Sequence, residues 1–136
     1  MKNKKEGKGK KYVLTLDEHE AYVVSRACEF YLRVYLGQFS EISHELLLMQ
    51  HDEIHDWCER RDNAETYLYK AREYIYPELH GKGHSYGVGK FEVADTAYNV
   101  HQVLRHALYD ERKPYALFGT KLPGIEVKEA ESNADS

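Results

Sequence analysis

No stretch of this chain approaches the roughly 20 consecutive apolar residues needed to cross a bilayer, and its lysine-rich start lacks the apolar core of a signal peptide. These absences argue against a membrane-spanning protein and predict a cytoplasmic one. Cysteine is also scarce. Cys28 and Cys58 fall in helical segments and read as free thiols of a reducing compartment rather than a disulfide. Phenylalanine is outnumbered by tyrosine, four against twelve, so most of the aromatic surface carries a polar tip. Such side chains suit a core rim, an interface or a base-stacking surface.

What is present fits one domain. A chain of 136 residues with 42% hydrophobic composition can build a single core and is too rich in apolar residues to be disordered throughout. Its charge is lopsided. Lys2, Lys4, Lys5, Lys8, Lys10 and Lys11 against Glu6 give residues 1–11 a net +5, so the overall −4 leaves −9 for the rest. A solvated, disordered basic leader is the expectation for 1–11, and an acidic disordered tail for 128–136. The globular domain is expected over 12–127. An acidic body argues against specific duplex DNA as the partner.

The patterning predicts a mainly helical α+β fold of about four helices, with a small sheet or β-arm formed by N- and C-terminal strands. Tyr12–Leu16 reads as a strand, and Thr15 with Glu18 or Asp17 with Glu20 offers a capping box for the first helix. The ladder Ala21, Val24, Cys28, Tyr31, Tyr35 continues through Phe39, Ile42, Leu46 and Met49. One kinked helix or two nearly collinear ones would fit; a break near Gly37-Gln38 is favoured, with the second piece ending around 58–61. Asp62-Asn63 restarts a helix with the face Ala64, Tyr67, Leu68, Ala71, Tyr74 and Ile75, stopped by Pro77. The last helix, from about Phe91 to Tyr109, points Val93, Ala97, Val100, Leu104 and Ala107-Leu108 inward. Tyr115–Phe118 and Ile125–Val127 are expected as strands that pair with the first.

The segment His80-Gly81-Lys82-Gly83-His84-Ser85-Tyr86-Gly87-Val88-Gly89-Lys90 leads into that last helix. Glycine permits close backbone approach, and a helix start favours negative charge, so the segment is the leading candidate for an anion site. It matches neither a Walker loop nor a dinucleotide fingerprint. Along the helix, Tyr98, His101, Gln102 and Arg105 share one face, and Arg105 could clamp a phosphate or carboxylate. The competing structural reading has Arg105 paired with an acid and His101 satisfied in the core. The candidate ligand-binding residues are therefore His84, Ser85, Tyr86, Lys90, Tyr98, Asn99, Gln102, Arg105 and His106.

On an ideal continuous helix, His44, His51, His55 and Cys58 would form a stripe, and His51 and His55 have a spacing that can chelate metal. The carboxylates needed for a metalloprotease or di-iron pattern are missing or misplaced, so no metal and no cofactor is expected. Cys28 sits on an apolar face, and Ser85 lacks a nucleophile elbow, so no catalytic residue is assigned.

Three stretches, Tyr12–Glu18, Arg26–Phe39 with its Gly37-Gln38 step and Ala97–Leu108 with Gln102-Val103-Leu104-Arg105-His106, resemble small uncharacterised accessory proteins of bacteriophages and prophages. The resemblance implies a phage accessory protein in the host cytoplasm and carries over no catalytic residue. It makes Gly37, Gln38, Arg105 and His106 positions to test. The resulting expectation is a non-enzymatic homo-oligomer that binds a small anionic ligand such as a nucleotide, countering host defence by sequestration. The alternatives are a protein-interaction module that inhibits or adapts a host protein, and a metal-dependent hydrolase using the histidine stripe.

Overall fold

The computed structural model describes residues 9–81 and 83–108. They form four helices, α1 (Glu18–Tyr35), α2 (Ser40–Leu48), α3 (Trp57–Ile75) and α4 (Glu92–Leu108), with a short 3-10 turn at His51–Glu53. No helix among the described residues is long and apolar enough to cross a membrane.

Of the two capping boxes on offer, Asp17 with Glu20 starts α1. The Asp17 carboxylate accepts from the Glu20 N–H at 2.7 Å, and the Glu20 carboxylate accepts from the Asp17 N–H at 2.9 Å. The helix stops where the break was expected. Gly37 takes φ +96°, its N–H donates to the Val34 carbonyl and the Gln38 N–H to the Arg33 carbonyl. This is a Schellman ending, and it needs a residue that tolerates positive φ.

Two expectations fail here. The second helix does not continue to 58–61: α2 ends at Leu48, and α3 begins at Trp57, upstream of the expected restart at Asp62-Asn63. The segment between them carries the 3-10 turn, a feature that helical periodicity alone does not register. Tyr12–Leu16, expected as a strand, runs without regular secondary structure, and no strand occurs among the described residues. Strand propensity is realised only against a neighbour. The expected partners Tyr115–Phe118 and Ile125–Val127 lie outside the described residues, as do the basic residues 1–8 and the tail 128–136.

α1 packs chiefly on α4, and α2 on α3. The α1–α4 pair is antiparallel: Tyr35 meets Phe91 ring to ring at 5.0 Å, and Ser25 meets His101 at the other end of the seam. Leu32 and Leu36 bury against Ala94 and Ala97, with Cys28, Tyr35, Tyr86, Phe91 and Tyr98 around them. The two alanines let the helices approach closely. The inward face of α4 is thus Ala94, Ala97, His101 and Gln102. Val93, expected inside, is exposed. The expected apolar face of α3 is only partly inward: Tyr67, Ala71, Tyr74 and Ile75 are exposed, Ala64 and Leu68 are half-buried, and Arg72 is buried.

Candidate functional site

The glycine-rich segment crosses the C-terminal end of α1, and the crossing is built from carbonyl groups that the helix leaves unpaired. The Tyr86 N–H donates to the Leu36 carbonyl at 2.9 Å. The Tyr76 hydroxyl, reaching back from the end of α3, donates to the Tyr35 carbonyl at 2.6 Å. Arg72 supplies the third tie. Its Nη1 donates to the Gly37 carbonyl at 3.2 Å and to the His84 carbonyl at 2.8 Å, and its Nη2 donates to the Gly81 carbonyl. The guanidinium carbon lies 5.2 Å from the Tyr69 ring centroid.

Arg72 is only 3% exposed, and its described partners are carbonyl oxygens rather than a carboxylate. The negative end of the α1 dipole supplies part of the compensation for burying this charge. Close packing at Gly37 follows: a Cβ there would lie 2.6 Å from Leu79 Cδ1. Beside this knot an open depression of about 340 Å³ is lined by Tyr69, Arg72, Glu73, Pro77, Leu79, His80 and Gly81.

The candidate ligand residues are spread from the segment before α4 along the length of that helix. The ring of Tyr86 joins a cluster with Tyr76 (5.2 Å) and Phe91 (5.4 Å), and the Lys90 ammonium sits 4.9 Å over it. Ser85 is exposed and accepts from Gln38 Nε2 at 3.4 Å, while the His84 ring turns to the His80 carbonyl. Tyr98 borders the core, and burial pushes its hydroxyl above the ordinary tyrosine range. Asn99 is half-buried, Gln102 buried and His106 exposed.

Arg105 belongs to the last turn of α4. At 1.5 Å per residue it is about 20 Å from Phe91 and the glycine-rich segment. The convergence of loop and guanidinium therefore does not occur. The start of α4 is also supplied with negative charge from within. Glu92 and Asp95 occupy the first turn, and the Asp95 carboxylate accepts from the Gly89 N–H at 3.0 Å. That carboxylate takes up a donor an anion would have used.

His101 behaves as the structural alternative described it. It is buried, and its Nδ1 lies 3.0 Å from the Ser25 carbonyl and 2.9 Å from Ser25 Oγ, while Oγ–H donates to the His101 carbonyl at 3.4 Å. All three contacts are satisfied when Nδ1 carries the proton. Nε2 then faces Glu29 at 3.9 Å. Burial pushes the imidazole below its ordinary range, opposed by the Glu29 carboxylate. The set resembles a serine triad in composition only: the serine accepts from the histidine instead of yielding a proton to it, and both are buried.

The histidine stripe loses its geometric premise. His44 lies on α2, His51 in the 3-10 turn, His55 in the turn that follows and Cys58 on α3. No cluster of three or more histidine, cysteine or carboxylate groups positioned for a metal occurs among the described residues. Burial raises the Cys28 thiol, which makes it a poor nucleophile.

The residue that sequence reasoning missed is Arg72. Its signal was present but weak: it falls one turn from both Leu68 and Tyr76, so it shares their face of α3. Comparisons with protein-family models, curated proteins and solved structures found no match to this chain.

Proposed function

We propose that this chain is a non-enzymatic accessory protein of the phage type that acts by binding another protein, with the outward face of α3 as its contact surface. One observation carries the reading. Tyr67 and Tyr74, seven residues apart on one face, are 73% and 84% exposed, with exposed Ala71 between them and Ile75 beside them. Tyrosine is enriched at interface cores, where its ring supplies contact area at little conformational cost. The contrast with the interior is sharp: among the described residues no large side chain is fully buried.

The test is a double substitution, Tyr67→Lys with Tyr74→Lys, in protein expressed in the host. The expected result is an unchanged helical spectrum and melting temperature together with loss of the co-purifying host protein. Retention of the same partner at the same yield would overturn the reading.

A second reading keeps a small anionic ligand, nucleotide-like in size, and moves it. The depression beside the glycine-rich segment favours it, because Arg72 and His80 both line its wall. A thermal shift with a nucleotide panel, abolished by His80→Ala, is the expected result. Absence of any shift would remove this reading.

A further inference from the structure

α1 and α4 each carry more apolar surface than their mutual seam uses. On α1 the seam takes Ser25, Cys28, Leu32 and Tyr35, at steps of three and four. One residue before each runs a second row of the same spacing: Val24, Ala27, Tyr31 and Val34. α4 repeats the device. Its seam row Ala94, Tyr98, His101 is preceded by Val93, Ala97 and Val100, and Leu104 and Ala107 extend that second row. A step of one residue turns an α-helix by about 100°, so each second row looks roughly a right angle away from the seam.

Both second rows lie on the same side of the helix pair. Each precedes its seam row, which is the same hand viewed from each helix's own N-terminus, and two antiparallel helices facing one another turn that shared hand into a shared side. The register set by Ser25 with His101 and Tyr35 with Phe91 brings Val34 level with Val93 and Ala27 level with Val100. The face so formed is open. Tyr31 is 51% and Val93 42% exposed, Ala27 and Ala107 are exposed, and Val100 and Leu104 are half-buried. No charged side chain stands in either row. α2 and the glycine-rich segment reach α1 elsewhere, at Arg26, which pairs with Glu45, and at the Leu36 carbonyl. Among the described residues the chief helical neighbours of α1 and α4 are each other.

Two apolar rows a quarter turn apart suit a helix with two neighbours, as in a square four-helix bundle. Here each helix has one such neighbour. The missing pair must itself be two antiparallel helices, apolar over the same length. A second copy offers that by construction, and a face without charge meets no repulsion when it is set against itself. We infer that the α1–α4 layer is a homodimer interface, on which two copies stack these faces to complete an intermolecular four-helix bundle. Two helices about 25 Å long and together about 20 Å wide give roughly 500 Å² per copy, near the ~1,000 Å² in total at which specific association begins. A contact of that size sets a dissociation constant on the order of 10 µM. The interface is separate from the outward face of α3.

Sedimentation velocity on the full chain, from about 1 µM to about 200 µM, reads this through mass action. The chain is expected to pass from monomer to twice its mass across that range. Ala27→Glu and Val93→Glu each put a carboxylate into the face at an exposed position, outside the α1–α4 seam. Each should weaken association by about tenfold or more while the helical spectrum stays unchanged. Tyr67→Lys with Tyr74→Lys, on α3, should dimerise as the native chain does, which keeps this test independent of the partner-binding one. A native chain that stays monomeric throughout would overturn the inference and leave the face to a different chain. Dimers unaffected by both carboxylates would overturn it too, as would dimers lost only in the α3 variant.

Discussion

The α1–α4 seam and the α2–α3 arm are made of the same kinds of residue and handle them in opposite ways. In the seam, Leu32, Leu36, Ala94 and Ala97 are buried, and the polar groups that enter, Ser25 and His101, satisfy one another. On α3, aromatic and aliphatic side chains face solvent, and the buried position is held by an arginine. Small side chains let two helices close on each other. A helix that turns its tyrosines outward is held at fewer points, by its packing on α2 and by the ties of Arg72 and Tyr76 at one end. The seam is thus read as scaffold and the arm as surface, and the contrast is testable in order of effect.

The largest loss is expected at the junction. Arg72→Leu removes the donor from the Gly37, His84 and Gly81 carbonyls at once. The Gly81 carbonyl keeps the His84 N–H at 3.3 Å, but the Gly37 and His84 carbonyls lose this donor, the former in a buried place, at a cost of about 3 kcal/mol. Urea unfolding checks the cost, and faster amide exchange across 83–90 checks its location. A change below about 1 kcal/mol would mean that the segment holds its own shape. Next comes the seam. Ala94 is 2% exposed, so Ala94→Leu forces a larger side chain between α1 and α4 and is expected to cost about 2 kcal/mol.

A pH dependence follows from His101. Its folded-state value is pushed down by burial, so the folded protein resists protonation that the unfolded chain accepts. The stability it contributes is complete above about pH 6.5, the ordinary unfolded value. It is lost as pH falls from there toward the depressed folded-state value. Melting curves at pH 7 and pH 5 should show a fall in Tm that His101→Gln reduces. An unchanged slope in that variant would assign the effect to the other histidines.

Much of the scaffold was legible. The capping box at Asp17, the break at Gly37 and the start of α4 near Phe91 all depend on local backbone chemistry, which a single sequence records. The orientation of α3 was not legible, because the ladder Tyr67, Ala71, Tyr74 is amphipathic whichever side faces in. A tyrosine-rich helix face can belong to a core or to an interface, and only the neighbours decide. The expected meeting of Arg105 with the glycine-rich segment failed for a simpler reason. Residues at opposite ends of a seventeen-residue helix share a face without sharing a place. Arg72 was obscured by the opposite bias, since arginine is rarely buried and reads by default as solvated.

The smallest effect on stability is the most telling for function. Tyr67→Ala with Tyr74→Ala removes two large side chains that contact little of the fold, so it is expected to change unfolding free energy by no more than about 0.5 kcal/mol. The same pair inside the α1–α4 seam would cost several times as much, as Phe/Trp→Ala in cores does at about 3–5 kcal/mol. A near-zero cost alongside loss of the bound partner separates surface from scaffold. A loss above about 2 kcal/mol would show that α3 is already covered by something within the chain, and the distinction between the two halves of the molecule would fail.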